Sequence, residues 1–140
     1  MNDASINTTL SRAQLVLRIT VGLFLLQWGI EKFVVPAMTV AVWGYFYGVA
    51  IPQALGYGFG AAEIAIALCI FAGRFRTVAY GAAVVLHAVT VAVSWRQLTQ
   101  PWANEFNHLF IASVPVLGAM VALFLLRDAG SRPAVGAAQR

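Results

Sequence analysis

One cysteine, two histidines and five acidic residues in 140 positions leave little of the material from which most active sites are built. The lone Cys69 has no second thiol, so neither an intramolecular disulfide nor a redox Cys-x-x-Cys motif exists. In its apolar surroundings it reads as a small buried hydrophobe. No Cys or His stands three or four residues from another, which removes the usual helical metal-ligand spacing; no metal is expected. Nucleophilic triads and paired carboxylates are missing as well. Charged residues make up only 10% of the chain, against about 25% in a soluble domain. The net charge of +4 is not gathered among aromatics as a nucleic-acid surface would be.

What fills the chain instead is hydrophobic, 61% of it. Four apolar stretches, 13–35, 54–71, 77–95 and 106–126, are each close to the roughly 20 residues that a helix needs to cross a hydrocarbon core of about 30 Å. None keeps a polar face for water. The expectation is an all-α integral membrane four-helix bundle, a single domain over 1–140, with flexible tails at 1–10 and 128–140. Arg12, Arg18, Arg74, Arg76, Arg127, Arg132 and Arg140 fall on one side of such a bundle and only Lys32 and Arg96 on the other. That bias places both termini and the 73–77 turn in the cytoplasm, in a bacterial inner membrane.

Local signals set the expected element ends. Ser11-Arg12-Ala13-Gln14 has capping-box spacing and should start the first helix. Arg18, one turn inside, should snorkel to the headgroups. Arg18, Gly22, Leu25, Gly29 and Lys32 share one helical stripe, with Gln27 and Glu31 roughly opposite. The stripe glycines, and Gly56 with Gly60 on the second span, suit close helix packing. Between Pro36 and Pro52, the segment 37–51 is apolar but too short to span and is crowded by Trp43, Tyr45, Phe46 and Tyr47. It is expected to be a re-entrant or interfacial segment on the outer side. Residues 73–77 should join spans two and three as a tight hairpin. Asn104 should cap the fourth helix, and Pro115 should kink it.

Ionisable residues inside a bilayer are costly and therefore informative. Glu63 lies near the middle of the second span, either locking two helices through an arginine-paired or protonated carboxyl or handling protons or a ligand. His87, mid-way along the third span, is an interhelix hydrogen-bonder or a proton carrier. At the outer edge, Trp28 and Glu31 close the first span while Glu105 and His108 open the fourth. Trp95 and Trp102 frame the same level. Such a group offers either an interfacial aromatic belt or a quinone site, with stacking and hydrogen bonds for the ring. Haem fits poorly, because the helix rise puts His87 and His108 at different depths.

The first span, Leu17-Arg18-Ile19-Thr20-Val21-Gly22 through Trp28-Gly29-Ile30-Glu31-Lys32-Phe33, resembles the opening of the DoxX family of small four-helix membrane proteins. Gly60-Ala61-Ala62-Glu63-Ile64 through Gly73-Arg74-Phe75-Arg76 is similar to that family's second span, and Glu105 sits where an acidic residue often precedes its last helix. The resemblance covers about 15–126; the tail Arg127-Asp128-Ala129-Gly130 departs from the family's usual ending. It implies an association with quinone-level redox chemistry. The expected function is a quinone-interacting or redox-complex membrane subunit, with Trp28, Glu31, Glu105 and His108 holding the ring and Glu63 or His87 handling the proton. Two alternatives stand beside it: a non-catalytic anchor or assembly subunit, and a small-solute carrier acting as a homo-oligomer. The expected partners are membrane lipid and a protein of the same complex.

Overall fold

The computed structural model describes residues 3–129. Helix α1 runs over Asp3–Val34, α2 over Pro36–Val42, α3 over Gln53–Ala72, α4 over Arg76–Val93, α5 over Trp95–Thr99 and α6 over Ser113–Leu125. A π-helical turn, Trp43–Tyr47, follows α2, and a 3-10 helix, Asn107–Ala112, leads into α6. Among the described residues there is no strand. Four helices, Ala4–Val34, Gln53–Ala72, Arg76–Val93 and Asn107–Leu125, are long and apolar enough to cross a membrane. The protein is an all-α, multi-pass membrane bundle. Helix α1 packs on α3, α3 on α4, α4 on α6, and α6 returns to α1.

The first helix starts earlier than its capping signal. Residues 3–10 are helical, because nothing breaks them and their polar side chains are accommodated within the helix. Thr8 and Thr9 donate to the carbonyls of Ala4 and Ser5, both at 2.9 Å. Gln14, assigned to a cap, is instead buried and donates across the bundle to the Leu126 carbonyl at 2.8 Å. The expected flexible tail at 128–140 lies almost wholly outside the described residues.

Arg18 does not snorkel either. Its guanidinium donates to the Ile70 carbonyl at 2.9 Å and to the Phe71 carbonyl. These carbonyls lie in the last turn of α3, where the helix dipole favours a cation. Arg76 likewise reaches another segment, donating at 2.9 Å to the Arg127 carbonyl two residues past the end of α6. This end of the bundle, the turn end, is thus tied together by side chains that bond carbonyls of other segments. The α3–α4 hairpin closes as a Schellman turn: Gly73 adopts φ 64°, and the Arg74 amide donates to the Cys69 carbonyl at 3.0 Å. Phe75 follows at φ 49°, a left-handed conformation rare for a residue with a Cβ.

At the other end, the loop end, Pro36 sets the geometry. A residue before proline is pushed out of the helical region, and Val35 takes φ −130°, ψ 61°. The chain bends there and resumes as α2 with Pro36 in its first turn, where a missing N–H costs nothing. Helix α2 stays against α3: buried Thr39 sits so close to Gly56 that a Cβ on the glycine would lie 3.2 Å from its methyl. Trp43 is then stacked between Tyr47 and Phe59, with ring centroids at 4.5 and 4.9 Å. As the segment runs from Thr39 to Trp43 its contacts move inward along α3, from Gly56 to Phe59, so it folds back from the end of α1 as the re-entrant or interfacial segment expected between the first two spans.

The fourth span is interrupted as expected, though not at the expected place. Asn104 makes a local turn, accepting from the Phe106 amide at 3.0 Å, rather than capping a helix. The chain then winds as 3-10 helix and becomes α-helical at Ser113, which puts Pro115 in the first turn of α6. The hydrophobic core, Val21, Leu25, Ala67, Ile70, Ala79, Tyr80, Ala83, Met120 and Leu123, fills the turn-side part of the bundle. Outward-facing Val16, Leu23, Leu68, Val85 and Leu125 are 50–70% exposed, as lipid-facing side chains are.

Candidate functional site

Helices α1 and α3 approach most closely at Gly29 and Gly60, where a Cβ on Gly60 would stand 2.9 Å from the Gly29 carbonyl oxygen. Lys32 and Glu63 flank that approach on opposite sides, close enough for their long side chains to meet. The Lys32 ammonium donates to Glu63 Oε2 at 2.7 Å, with the two side chains 13% and 18% exposed. A second Lys32 bond, 3.2 Å to the Trp28 carbonyl, holds the ammonium against its own helix. Glu63 is the eleventh residue of the twenty in α3, so the pair lies about 15 Å from either end of that helix. Glu63 thus has a cation partner at mid-depth, and it is a lysine.

A second group sits on the other flank of α1. Buried His87, in α4, donates from Nε2 to the Ser113 carbonyl at 2.9 Å. A carbonyl only accepts, so this bond fixes the proton on Nε2. The Phe24 ring stands edge-on to His87 with centroids at 5.1 Å and an interplanar angle of 86°. Trp28, one turn further along α1, leans on Phe24 at 6.2 Å and is 45% exposed. A line of aromatic contacts therefore runs from the surface at Trp28 to the buried imidazole and on to the start of α6. Glu31, a neighbour of Lys32 in sequence, is close enough to Glu63 to act on it electrostatically. Its carboxylate makes no hydrogen bond or ion pair among the described residues.

The four residues expected at one outer-edge site are not brought together. Trp28 reaches the level of His87 and Ser113 through Phe24. His108 lies five residues before Ser113 in the chain, along the 3-10 helix, which at about 2.0 Å per residue puts it roughly 10 Å nearer the loop end. There His108 stacks on Trp102 at 6.5 Å and 18°, both rings exposed, and Glu105 is exposed beside them. Among the described residues, no hydrogen bond, ion pair or ring contact joins Trp28 or Glu31 to Glu105 or His108. The reason is the stagger of α1 and α3: α1 ends at Val34, yet its contact at Gly29 meets α3 at Gly60, seven residues in from the α3 start, so Trp28 and Glu31 lie inside the loop end rather than at its edge.

What the structure does assemble is a mid-depth belt around α1, made of Trp28, Phe24 and His87 on one flank and Lys32 and Glu63 on the other. It brings together Trp28, Glu63 and His87 of the expected residues, leaves Glu31 on the outer side of α1, and adds two, Lys32 as the partner of Glu63 and Phe24 as the link to His87. Chemically the belt offers a flat apolar surface, an ammonium, a carboxylate and an imidazole. Among the described residues, no three His, Cys, Asp or Glu side chains form a group that could hold a metal ion. Comparison of the chain with protein-family models, with curated proteins and with solved structures gives no match in any of the three.

Proposed function

We propose that the protein is a quinone-interacting membrane subunit of a redox complex, lying in the bacterial cytoplasmic membrane with both termini inside. The observation that carries the reading is the mid-depth belt: a half-exposed Trp28 at the level of a lysine–carboxylate pair and a buried imidazole. A quinone in the bilayer needs a flat ring to stack on, a donor for its carbonyl and a route for protons. Trp28 offers the first, Lys32 the second, and Glu63 the third. Reduction of a quinone to a quinol takes two electrons and two protons. The electrons come from a donor on a partner protein, and the protons pass through the belt. The DoxX-like residues Arg18, Gly22, Gly29, Lys32, Glu63 and Arg76 support the same reading.

A second reading, a non-catalytic anchor or assembly subunit, is favoured by one specific observation. Glu63 and His87 already spend their hydrogen bonds on Lys32 and the Ser113 carbonyl, which is what residues that only fix helix packing do. Purification in mild detergent, followed by mass spectrometry of bound quinones and proteins, separates the two. The quinone reading expects co-purified quinone, with Trp28→Leu weakening its binding several-fold through the loss of about 0.5–1.5 kcal/mol of aromatic contact. His108→Ala should leave binding unchanged. A wild-type protein that binds no quinone in a defined partner complex establishes the anchor reading instead.

A further inference from the structure

Gln27 and Glu31 stand one turn apart on the side of α1 opposite the Gly22–Gly29 stripe. Gln27 is exposed and Glu31 half-buried. Around them the same outward side carries Leu23, Ile30 and Val34, which are 44–70% exposed. Glu31 is close to the level of the Gly29–Gly60 contact, about 10 Å in from the start of α3, so the carboxylate sits within the span. Among the described residues, neither the Gln27 amide nor the Glu31 carboxylate has a hydrogen-bond or ion-pair partner. The adjacent ammonium is committed to Glu63 and the Trp28 carbonyl. Thr20, on the same side, is satisfied by the Val16 carbonyl at 3.0 Å. A carboxylate and an amide with open hydrogen-bonding capacity, surrounded by lipid-facing side chains, require a partner from outside the chain.

We propose that the Gln27–Glu31 face of α1 docks a transmembrane helix of a different protein, one that carries an arginine or lysine at mid-span opposite Glu31. Charge decides the occupant. A second copy of this chain has no cation to offer at that level: Arg12, Arg18, Arg74, Arg76 and Arg127 gather at the turn end, Arg96 lies at the loop end, and Lys32 is paired internally. A basic residue on the partner neutralises Glu31, and its neighbouring polar or small residues meet Gln27, the pattern by which polar groups bind helices together in lipid. The surface is independent of the quinone reading, which uses Trp28 and the Lys32–Glu63 pair.

The test uses the full chain in phosphatidylcholine vesicles with a labelled synthetic leucine–alanine helix of about 25 residues, made with arginine, glutamine or leucine at its centre. Energy transfer from labelled protein to peptide measures association. The arginine helix should bind about tenfold more tightly than the leucine helix, and Glu31→Gln should abolish that preference while Glu105→Gln preserves it. As a control for folding, Glu31→Lys should prefer a central-glutamate helix over the arginine helix. Equal binding of the arginine and leucine helices overturns the proposal, as does a preference that survives Glu31→Gln or fails to invert in Glu31→Lys. So does energy transfer between two labelled copies of the protein that Glu31→Gln removes, because the occupant is then a second copy.

Discussion

Lys32→Met leaves the Glu63 carboxylate inside the α1–α3 contact with no cation beside it. The native pair is short, 2.7 Å, and both side chains are mostly buried, at 13% and 18% exposure. Removing one member of such a pair costs about 3–5 kcal/mol, because the survivor keeps its desolvation penalty. Glu63→Leu should cost less, about 1–3 kcal/mol: the lysine stem is long and flexible, its ammonium keeps the Trp28 carbonyl, and Glu31 is adjacent. Replacing both, Lys32→Met with Glu63→Leu, removes the charge and its penalty together and should return to within about 1 kcal/mol of wild type. The expected signature is a strong negative coupling in the double-mutant cycle. Equilibrium unfolding in mixed micelles, followed by tryptophan fluorescence, measures all four proteins. Additive single effects, or a double variant less stable than Lys32→Met, would refute the view that the pair joins α1 to α3.

Gly60→Ala should destabilise the bundle by about 1–3 kcal/mol, because the new Cβ would meet the Gly29 carbonyl oxygen at 2.9 Å and backbone cannot turn aside. Gly58→Ala, with nothing within 4 Å, should be neutral or stabilising by up to about 1 kcal/mol in the same unfolding assay. His87→Ala removes the bond to the Ser113 carbonyl and the edge contact with Phe24; about 1–3 kcal/mol should be lost, visible as a lower melting temperature in detergent. The arginine bias predicts that a reporter fused after Arg140, and a tag inserted at Gly73, are both cytoplasmic. Periplasmic activity from either fusion would contradict the orientation.

The four spans were legible because hydropathy and length are properties of single segments. The hairpin at Gly73 was legible for the same reason, since five residues between two spans leave only an antiparallel return. Interactions between segments were not. Arg18, Gln14 and Arg76 look in the sequence like a snorkelling cation, a capping residue and a topogenic charge. In the fold, each bonds a carbonyl supplied by another part of the chain: Arg18 in the last turn of α3, Gln14 and Arg76 just past the end of α6. Nothing in the local sequence around Gln14 names Leu126, and a strong local capping pattern pointed elsewhere. The fourth span shows the converse, with Pro115 correctly read as a disturbance but placed in mid-helix. The chain avoids the kink by starting its α-helix only at Ser113.

Depth is where the structure departs from expectation, and the cause lies between two helices. A first span ending at Val35 predicts Trp28 and Glu31 at an edge beside His108. Helix α1 does end at Val34, but its contact at Gly29 meets α3 seven residues inside that helix's start, so the same two residues lie deeper, towards Glu63 and His87. A signal for this was present in the spacing. Gly29 and Lys32 are three residues apart on one span, and Gly60 and Glu63 repeat that spacing on the next, with opposite charge. Small residues mark where two helices touch, and an ion pair one turn from the contact is the arrangement that leaves neither charge alone in lipid. Matching the two glycines alone sets the register of α1 against α3. In that antiparallel register Lys32 and Glu63 flank the contact on opposite sides, and the long lysine side chain closes the gap to 2.7 Å. Glu31 is left on the outer side without a cation, which locates the charge that a partner helix must meet.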